Sequence, residues 1–340
     1  MRPTIALTMG DPAGIAPEII VKTLALTRPW TEFRPLVIGD TEVMRNAEAS
    51  ACAGVAFRVL DPKAMTALAD RMSATEPPAG ARTESVDLYC PAGAEAGDYR
   101  RGVVDARMGR AAALCLEAAY RLVASGTVDG VVSGPLNKEA FHRAGYEFFD
   151  ELEYLAHMTK ADETFIVRVA GSVVSVSVTE HIPFRHIADN IKRGRVLQAI
   201  RRLDSVLRSV KGRGGRIAVS ALNVHGGEGG LFGREETDEI APAVEDARSE
   251  GISADGPFPA DTVYLRALAG EFAGVVSMYH DQANIPGKLQ PKRSSATLFL
   301  GLPVICATTA HGTAFDKVGK GIADPGSMQT ALEWAVRLAR

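Results

Sequence analysis

The sequence predicts an α/β fold on a mostly parallel sheet, and three observations carry that prediction. Short β-branched runs alternate with longer helix-period stretches along the 340 residues. Two of the runs, "ETFIVRVA" and "SVVSVSVTE" within 163–180, are separated only by Gly171 and its neighbours and read as a hairpin. No single cut leaves two self-contained halves, so the chain is expected to leave one lobe and later return to it.

In chain order, "TIALTM" (4–9) reads as a strand, "GDPAG" as a turn and "APEIIVKTLAL" as a helix with Pro17 in its first turn. "RPLVIGD" (34–40) is a second strand, with Asp40 or Thr41 capping the next helix. The segment 76–106, rich in Pro, Gly and Ala, is the expected lobe crossing. A long amphipathic helix covers 106–126 and stops at Gly126. "VDGVVSG" (128–134) is a strand, followed by a helix beginning at Pro135. After the hairpin come a helix over about 188–209 and the strand "RIAVSAL" (216–222). Three more strands, 272–280, 296–302 and 303–309, precede the closing helix "MQTALEWAVRLAR".

Composition narrows the function classes. The net charge is −3 with no Lys/Arg block, which argues against nucleic acid. Cys52, Cys90, Cys115 and Cys306 form no CxxC pair and read as reduced thiols. No apolar run reaches about 18 residues, so a soluble cytoplasmic protein is expected.

His181, His225 and His280 each lie at or just after the C-terminal end of an expected strand. Ligands of open α/β sheets collect beyond those ends. Three imidazoles there could bind a divalent metal with positions open to substrate, or could simply cap strand ends. In "ALNVHGGEGGLFGREE" (221–236), Gly226, Gly227, Gly229 and Gly230 allow positive φ and close backbone approach. A phosphate cradle is the weaker reading, because the next helix opens on acids that suit its dipole and oppose phosphate. The stretch "AHGTAFDKVGKGIADPGS" (310–327) is a long polar loop, able to wrap an adenine and ribose or simply to be solvated. Lys288, read as a loop residue, is a candidate anion clamp or proton relay.

Together "GDPAGIAPEI", "SGPLNKEAF", "EHIPFRHIAD", "LNVHGGEGGLFGREE", "GPFPADTVY", "MYHDQANIPGK" and "HGTAFDKVGKGIADPGS" resemble, in order and over nearly the whole chain, the 4-hydroxythreonine-4-phosphate dehydrogenase family. That resemblance implies an isocitrate/isopropylmalate dehydrogenase-like fold: two lobes, a mostly parallel sheet and an active site in the cleft between them. It implies a discontinuous first lobe, 1–100 and 286–340, with the nucleotide loop (His311, Gly312, Thr313, Asp324). The middle lobe, 101–285, would carry the metal ligands His181, His225 and His280 and the interface of a homodimer, one ligand coming from the partner subunit. The metal would be zinc, cobalt or magnesium; three imidazoles favour a transition metal over magnesium. The implied reaction is oxidation of a secondary alcohol by NAD or NADP, then decarboxylation. Lys288 matches a substrate-binding lysine, Asn223 is placed near substrate, and Asp261 and Asp281 are candidates for orienting histidines or taking a proton.

Departures from the resemblance bear on substrate. A substrate-contacting His-Thr pair of the family is here Glu151 and Leu152, an asparagine falls on Thr297, and a substrate-gripping arginine falls on Cys306. A phosphomonoester carries about −2 charge and wants arginine or several donors. Lys288 opposed by Glu151 is poor for that, so a non-phosphorylated hydroxy acid is expected, such as a sugar acid or a cyclic cis-diol carboxylate. Lys292 and Arg293 could replace the lost arginine, which would restore the phosphorylated substrate. Phosphate acyl transfer on a related fold, and a catalytically silent sugar-acid binding protein, are the other classes; the histidine triad speaks against both.

Overall fold

The computed structural model describes residues 2–61, 63–65, 85–211, 214–289 and 295–340. Lys292 and Arg293 lie outside the described residues, as does the beginning of the expected crossing, 76–84. The chain forms two compact units, Met1–Phe165 with Ala296–Arg340, and Ile166–Ser295.

Unit 1 orders its strands β3 (Ala56–Leu60), β4 (Ser85–Tyr89), β2 (Arg34–Ile38), β1 (Thr4–Thr8), β5 (Gly130–Ser133), β12 (Ile305–Thr309) and β11 (Ser295–Leu300). All neighbours are parallel except β11, which runs antiparallel to β12. Every residue of β1 is buried, as a central parallel strand covered on both faces requires. Its helices are α1 (Ala16–Leu26), α2 (Thr41–Ala51), α3 (Ala106–Ala124), α4 (Lys138–Arg143), α5 (Glu151–Thr159) and, below, the C-terminal helix. Asp40 caps α2 by accepting from the Val43 N–H at 2.8 Å. The expected helix start at Pro135 moves to Asn137, whose Oδ1 accepts from Ala140 N–H at 2.9 Å. Asparagine wins because it supplies an acceptor for an orphan N–H and proline cannot.

Unit 2 orders its strands β6 (Phe165–Ala170), β7 (Val173–Thr179), β10 (Gly274–Tyr279), β8 (Ile217–Ser220) and β9 (Ala254–Phe258). The expected hairpin is present: β6 and β7 are antiparallel across Gly171, at φ +59°. β7, β10, β8 and β9 are parallel. The helix expected at 188–209 is two helices, α6 (Ile187–Asn190) and α7 (Arg193–Lys211), because Ile191 is extended. α8 (Ala241–Ser249) and α9 (Ala260–Leu268) follow. Lys288 is not in a loop: it ends α10 (His280–Lys288), a helix that Pro286 near its C-terminus disguises. The chain closes on α11 (Gly326–Leu338).

The lobe boundaries differ from those expected at 100 and 285. Residues 101–165 belong to unit 1 because β5 pairs with both β1 and β12. The described end of the expected crossing, from β4 to α3, therefore stays within unit 1. No helix among the described residues is long and apolar enough to cross a membrane.

Candidate active site

In unit 2 the parallel register sets the chemistry. Thr179 of β7 lies opposite Tyr279 of β10, so the residues that follow each strand emerge side by side. They are Glu180 and His181 on one side and His280 on the other. One donor atom from each of these three residues lies within 4.8 Å of the others. The two imidazole centroids are 5.6 Å apart. His280 Nδ1 sits 2.7 Å from Asp281 Oδ1, which leaves Nε2 as its outward donor. Glu180 is held from behind by Arg168 of β6, whose guanidinium donates to both carboxylate oxygens at 2.7 and 2.5 Å and to Ser177 Oγ at 3.3 Å.

His225 is not part of that cluster. It is exposed, with Nδ1 3.4 Å from Glu228 Oε1. The glycine-rich stretch does make a bend of the expected kind, and an unusual one. His225, Gly226, Gly227, Glu228 and Gly229 have φ of 52, 70, 79, 45 and 68°, a continuous left-handed turn. Two non-glycine residues in that region are strained, and such strain persists only where the surroundings impose it. Glu236, nearly fully buried, ties down the residues that lead into the turn. Its Oε1 accepts from Leu222 and Asn223 N–H at 2.8 and 2.7 Å, and its Oε2 from Asn223 Nδ2 at 2.9 Å. Asn223 Nδ2 also donates to Glu235 at 2.6 Å. The acids after the glycines thus fasten the turn, a role that sequence spacing does not reveal. Glu236 opens a π-helical turn, Glu236–Ile240.

Of the remaining unit 2 residues, Asp261 is exposed in the first turn of α9 and Asp281 is exposed beside His280. Lys288 is exposed eight residues along α10 from His280, about 12 Å of helix rise. It stands too far along the helix to exchange a proton with His280 directly.

In unit 1 the loop 310–325 is fixed against the turn after β1. Thr313 O accepts from Ile15 N–H at 3.0 Å, and Ala13 O accepts from Gly102 N–H at 2.8 Å. Lys22 Nζ donates to Gly321 O and Ala323 O, each at 2.9 Å, and to Glu18. Thr313 is buried, His311 half-buried and Gly312 exposed; Asp324 Oδ1 accepts from Gly326 N–H at 2.8 Å where α11 begins. Asp11, treated above only as part of a turn, is fully buried at this junction. Its Oδ1 accepts from Ala13 N–H at 2.8 Å and its Oδ2 has no partner. Burial pushes its pKa up to about 6.

The departures cluster inside unit 1. Glu151 begins α5, with Oε1 sealed from solvent and unpartnered. Burial pushes its carboxyl up to about 8, against the hydrogen bond of Ser133 at the end of β5. Leu152 and Cys306 are buried; Thr297 on β11 is half-buried opposite Thr308. Burial, with Glu151 nearby, raises the Cys306 thiol. A protonated Glu151 adds no negative charge near neutral pH. The repulsion expected of it therefore disappears, while the missing arginine remains missing.

The mostly parallel α/β chain carries a histidine–carboxylate cluster at one set of strand ends and an anchored glycine-rich loop at another, and the proteins that it is similar to are dehydrogenases. The family model described as pyridoxal phosphate biosynthetic protein PdxA matches residues 31–335, and the chain belongs to that family. It is 38% identical to the D-threonate 4-phosphate dehydrogenase of Cupriavidus necator, over 99% of this chain and 97% of that one. Among solved structures it resembles the 4-hydroxythreonine-4-phosphate dehydrogenase of Klebsiella pneumoniae, with TM-score 0.80 and 35% identity over 99% of this chain and 100% of that one. It also resembles a terephthalate 1,2-cis-dihydrodiol dehydrogenase of Burkholderia xenovorans, with TM-score 0.65 and 28% identity over 99% and 98%.

Proposed function

We propose that the chain is a metal-dependent, NAD- or NADP-linked dehydrogenase that oxidises a secondary hydroxyl of a hydroxy acid, the product then losing carbon dioxide. The observation that carries this reading is the cluster of His181, His280 and Glu180 beyond the ends of β7 and β10. Two imidazoles and a carboxylate so close suit zinc or cobalt better than magnesium. His181, His280 and Glu180 would hold the ion, which would supply Lewis acidity toward the hydroxyl being oxidised.

The chain's own groups do the rest. Asp281 fixes the ring of His280 through Nδ1. Lys288, farther along α10, anchors an anionic end of the substrate. Asp261 is the proposed proton acceptor. The loop bearing His311, Gly312, Thr313 and Asp324 takes the adenosine part of the cofactor, its backbone held in place by Ile15 and Lys22. His225 is assigned to the site of a second copy in a homodimer. The exposed Val224, Leu231 and Phe232 beside it supply an apolar surface for that contact.

The substrate in this reading lacks a phosphate. Glu151 and Cys306 offer a dianion no cation in any protonation state, and no arginine stands in their place, although burial removes the negative charge of Glu151. A second reading is favoured by the relatives' names: oxidation of a four-carbon hydroxy acid 4-phosphate such as D-threonate 4-phosphate. Steady-state kinetics separate the two. Higher kcat/KM on D-threonate or a cis-diol carboxylate is expected than on D-threonate 4-phosphate or 4-hydroxythreonine 4-phosphate. Efficient turnover of either phosphorylated acid overturns the first reading.

A further inference from the structure

We infer that unit 1 carries a further small-molecule site, a concavity between α3 and α5 that takes a zwitterionic α-amino acid with an aromatic side chain, its ammonium on Glu117 and its carboxylate on Arg121. The inference does not depend on the reaction proposed above.

The concavity encloses about 990 Å³, ample for a ligand of that size. Its lining residues all belong to unit 1. α3 supplies Glu117 and Arg121, α5 supplies Tyr154, and the segment between α4 and α5 supplies Tyr146 and Phe148. Its place in the fold sets it apart from the nucleotide loop. Pro303 and Val304, on its wall, immediately precede β12, and Val123 and Ala124 end α3 before β5 begins at Gly130. β5 and β12 are parallel, so the concavity lies at their N-terminal ends. Ser133 and the loop 310–325 lie at the C-terminal ends of the same strands.

Tyr154 packs against Tyr146 and Phe148, with ring centroids 5.5 and 5.1 Å apart. Such a cluster offers ring faces and edges to a flat side chain. Its hydroxyls share one acceptor: Tyr154 OH donates to Glu117 Oε1 at 2.8 Å, and Tyr146 OH at 3.5 Å. Burial and the neighbouring carboxylate raise the Tyr154 hydroxyl, so it stays a donor. These bonds hold Glu117 by one oxygen and leave Oε2 without a partner among the described residues.

Arg121 stands one helical turn farther along α3, at the spacing where a glutamate and an arginine ordinarily pair. Here Glu117 is held by the tyrosines instead. Arg121 is exposed and has no ion-pair or hydrogen-bond partner among the described residues. The two charges decide the ligand. A simple carboxylate gains Arg121 and is repelled by Glu117, and a simple amine meets the reverse. A molecule with both charges on one carbon satisfies both, and its aromatic side chain then rests between the rings and the apolar wall of Pro303 and Val304.

Calorimetric titration of the full chain with L-phenylalanine tests this, beside hydrocinnamate, which lacks the ammonium, and phenethylamine, which lacks the carboxylate. L-Phenylalanine is expected to bind, and each analogue to bind about 10-fold more weakly or worse, the loss of a charge-assisted hydrogen bond. Arg121→Met is expected to weaken L-phenylalanine by a similar factor and to leave phenethylamine no weaker. Because Arg121 is exposed and unpaired, the ligand-free melting temperature of that variant is expected to stay unchanged. Glu117→Gln is expected to weaken L-phenylalanine and to leave hydrocinnamate no weaker. That change also loosens Tyr154, so Ala124→Trp serves as a further probe: it crowds the rim, keeps both charges, and is expected to abolish binding. No binding of L-phenylalanine at roughly millimolar concentrations overturns the inference. So does binding that all these variants leave unchanged, which would put the ligand elsewhere. Equal binding of either analogue overturns it too, since one of the two charges would then take no part.

Discussion

Glu151 holds a proton in the folded chain that an ordinary glutamate has lost at neutral pH, because its carboxyl is buried and raised to about 8. A folded-state pKa above the unfolded value means that the native chain binds more protons between the two. Stability therefore falls as pH rises through that window, from the ordinary glutamate value to about 8. Glu151→Gln keeps the shape and abolishes the titration. The variant is expected to match the unsubstituted chain near pH 4 and to exceed it at pH 9, by several kcal/mol at most. Denaturant midpoints taken across that range check it, and parallel curves for the two proteins would mean that the carboxyl ionises freely when folded. Asp11 contributes in the same direction up to about pH 6 in both proteins, so it cancels in the comparison. Single residues also show where the sequence is legible. His181 and His280 stand out because each follows a β-branched run. Glu180 does not, since an acid at a strand end reads as a solvated one. Its partner Arg168 is twelve residues away and meets it only through hairpin register. The burial of Glu151 is equally invisible, and its partner Ser133, at the end of β5, is distant in sequence.

Helix α3 meets α4 at Gly109, where backbone approaches backbone: a Cβ there would collide with the carbonyl of Ala140. No left-handed φ is involved, so the constraint is steric alone. Gly109→Ala must push α4 off α3 or strain both, and is expected to cost about 1–3 kcal/mol, the usual range for overpacking. A lowered denaturant midpoint at unchanged slope checks it; an unchanged midpoint would mean that α4 yields freely. Elements with a strong period and a marked end, α1 with Pro17 in its first turn and α3 stopping just before Gly126, are readable from sequence within a few residues of their observed ends. Those missed have physical reasons. β9, "ADGPF", contains a glycine and a proline that argue against a strand, yet it is an edge strand of unit 2, where proline is tolerated. β3 is another edge strand, with Val59 exposed, and lacks the buried apolar run that marks β1. α10 hides behind Pro286, and that is why Lys288 reads as a loop residue.

At the scale of the whole chain, the return to unit 1 after residue 295 is legible as the absence of a clean cut, but the boundaries are not. They depend on β5 pairing between β1 and β12, a contact between segments more than a hundred residues apart. Unit 2, by contrast, is one uninterrupted stretch, Ile166–Ser295. It has a core cluster of its own, comprising Val173, Ala218, Val263, Tyr264, Ala267, Phe272 and Val275. A domain of that size buries enough apolar surface to fold alone. It also contains Glu180, His181 and His280, with Asp281 against the ring of His280, and His225 besides. A fragment spanning 166–295 is therefore expected to unfold cooperatively in urea, to keep near-ultraviolet dichroism, and to bind cobalt(II). A fragment that is disordered would show that unit 2 draws its stability from unit 1. A fragment that folds but leaves cobalt unbound would move a necessary donor out of unit 2, and with it the centre of the proposed chemistry.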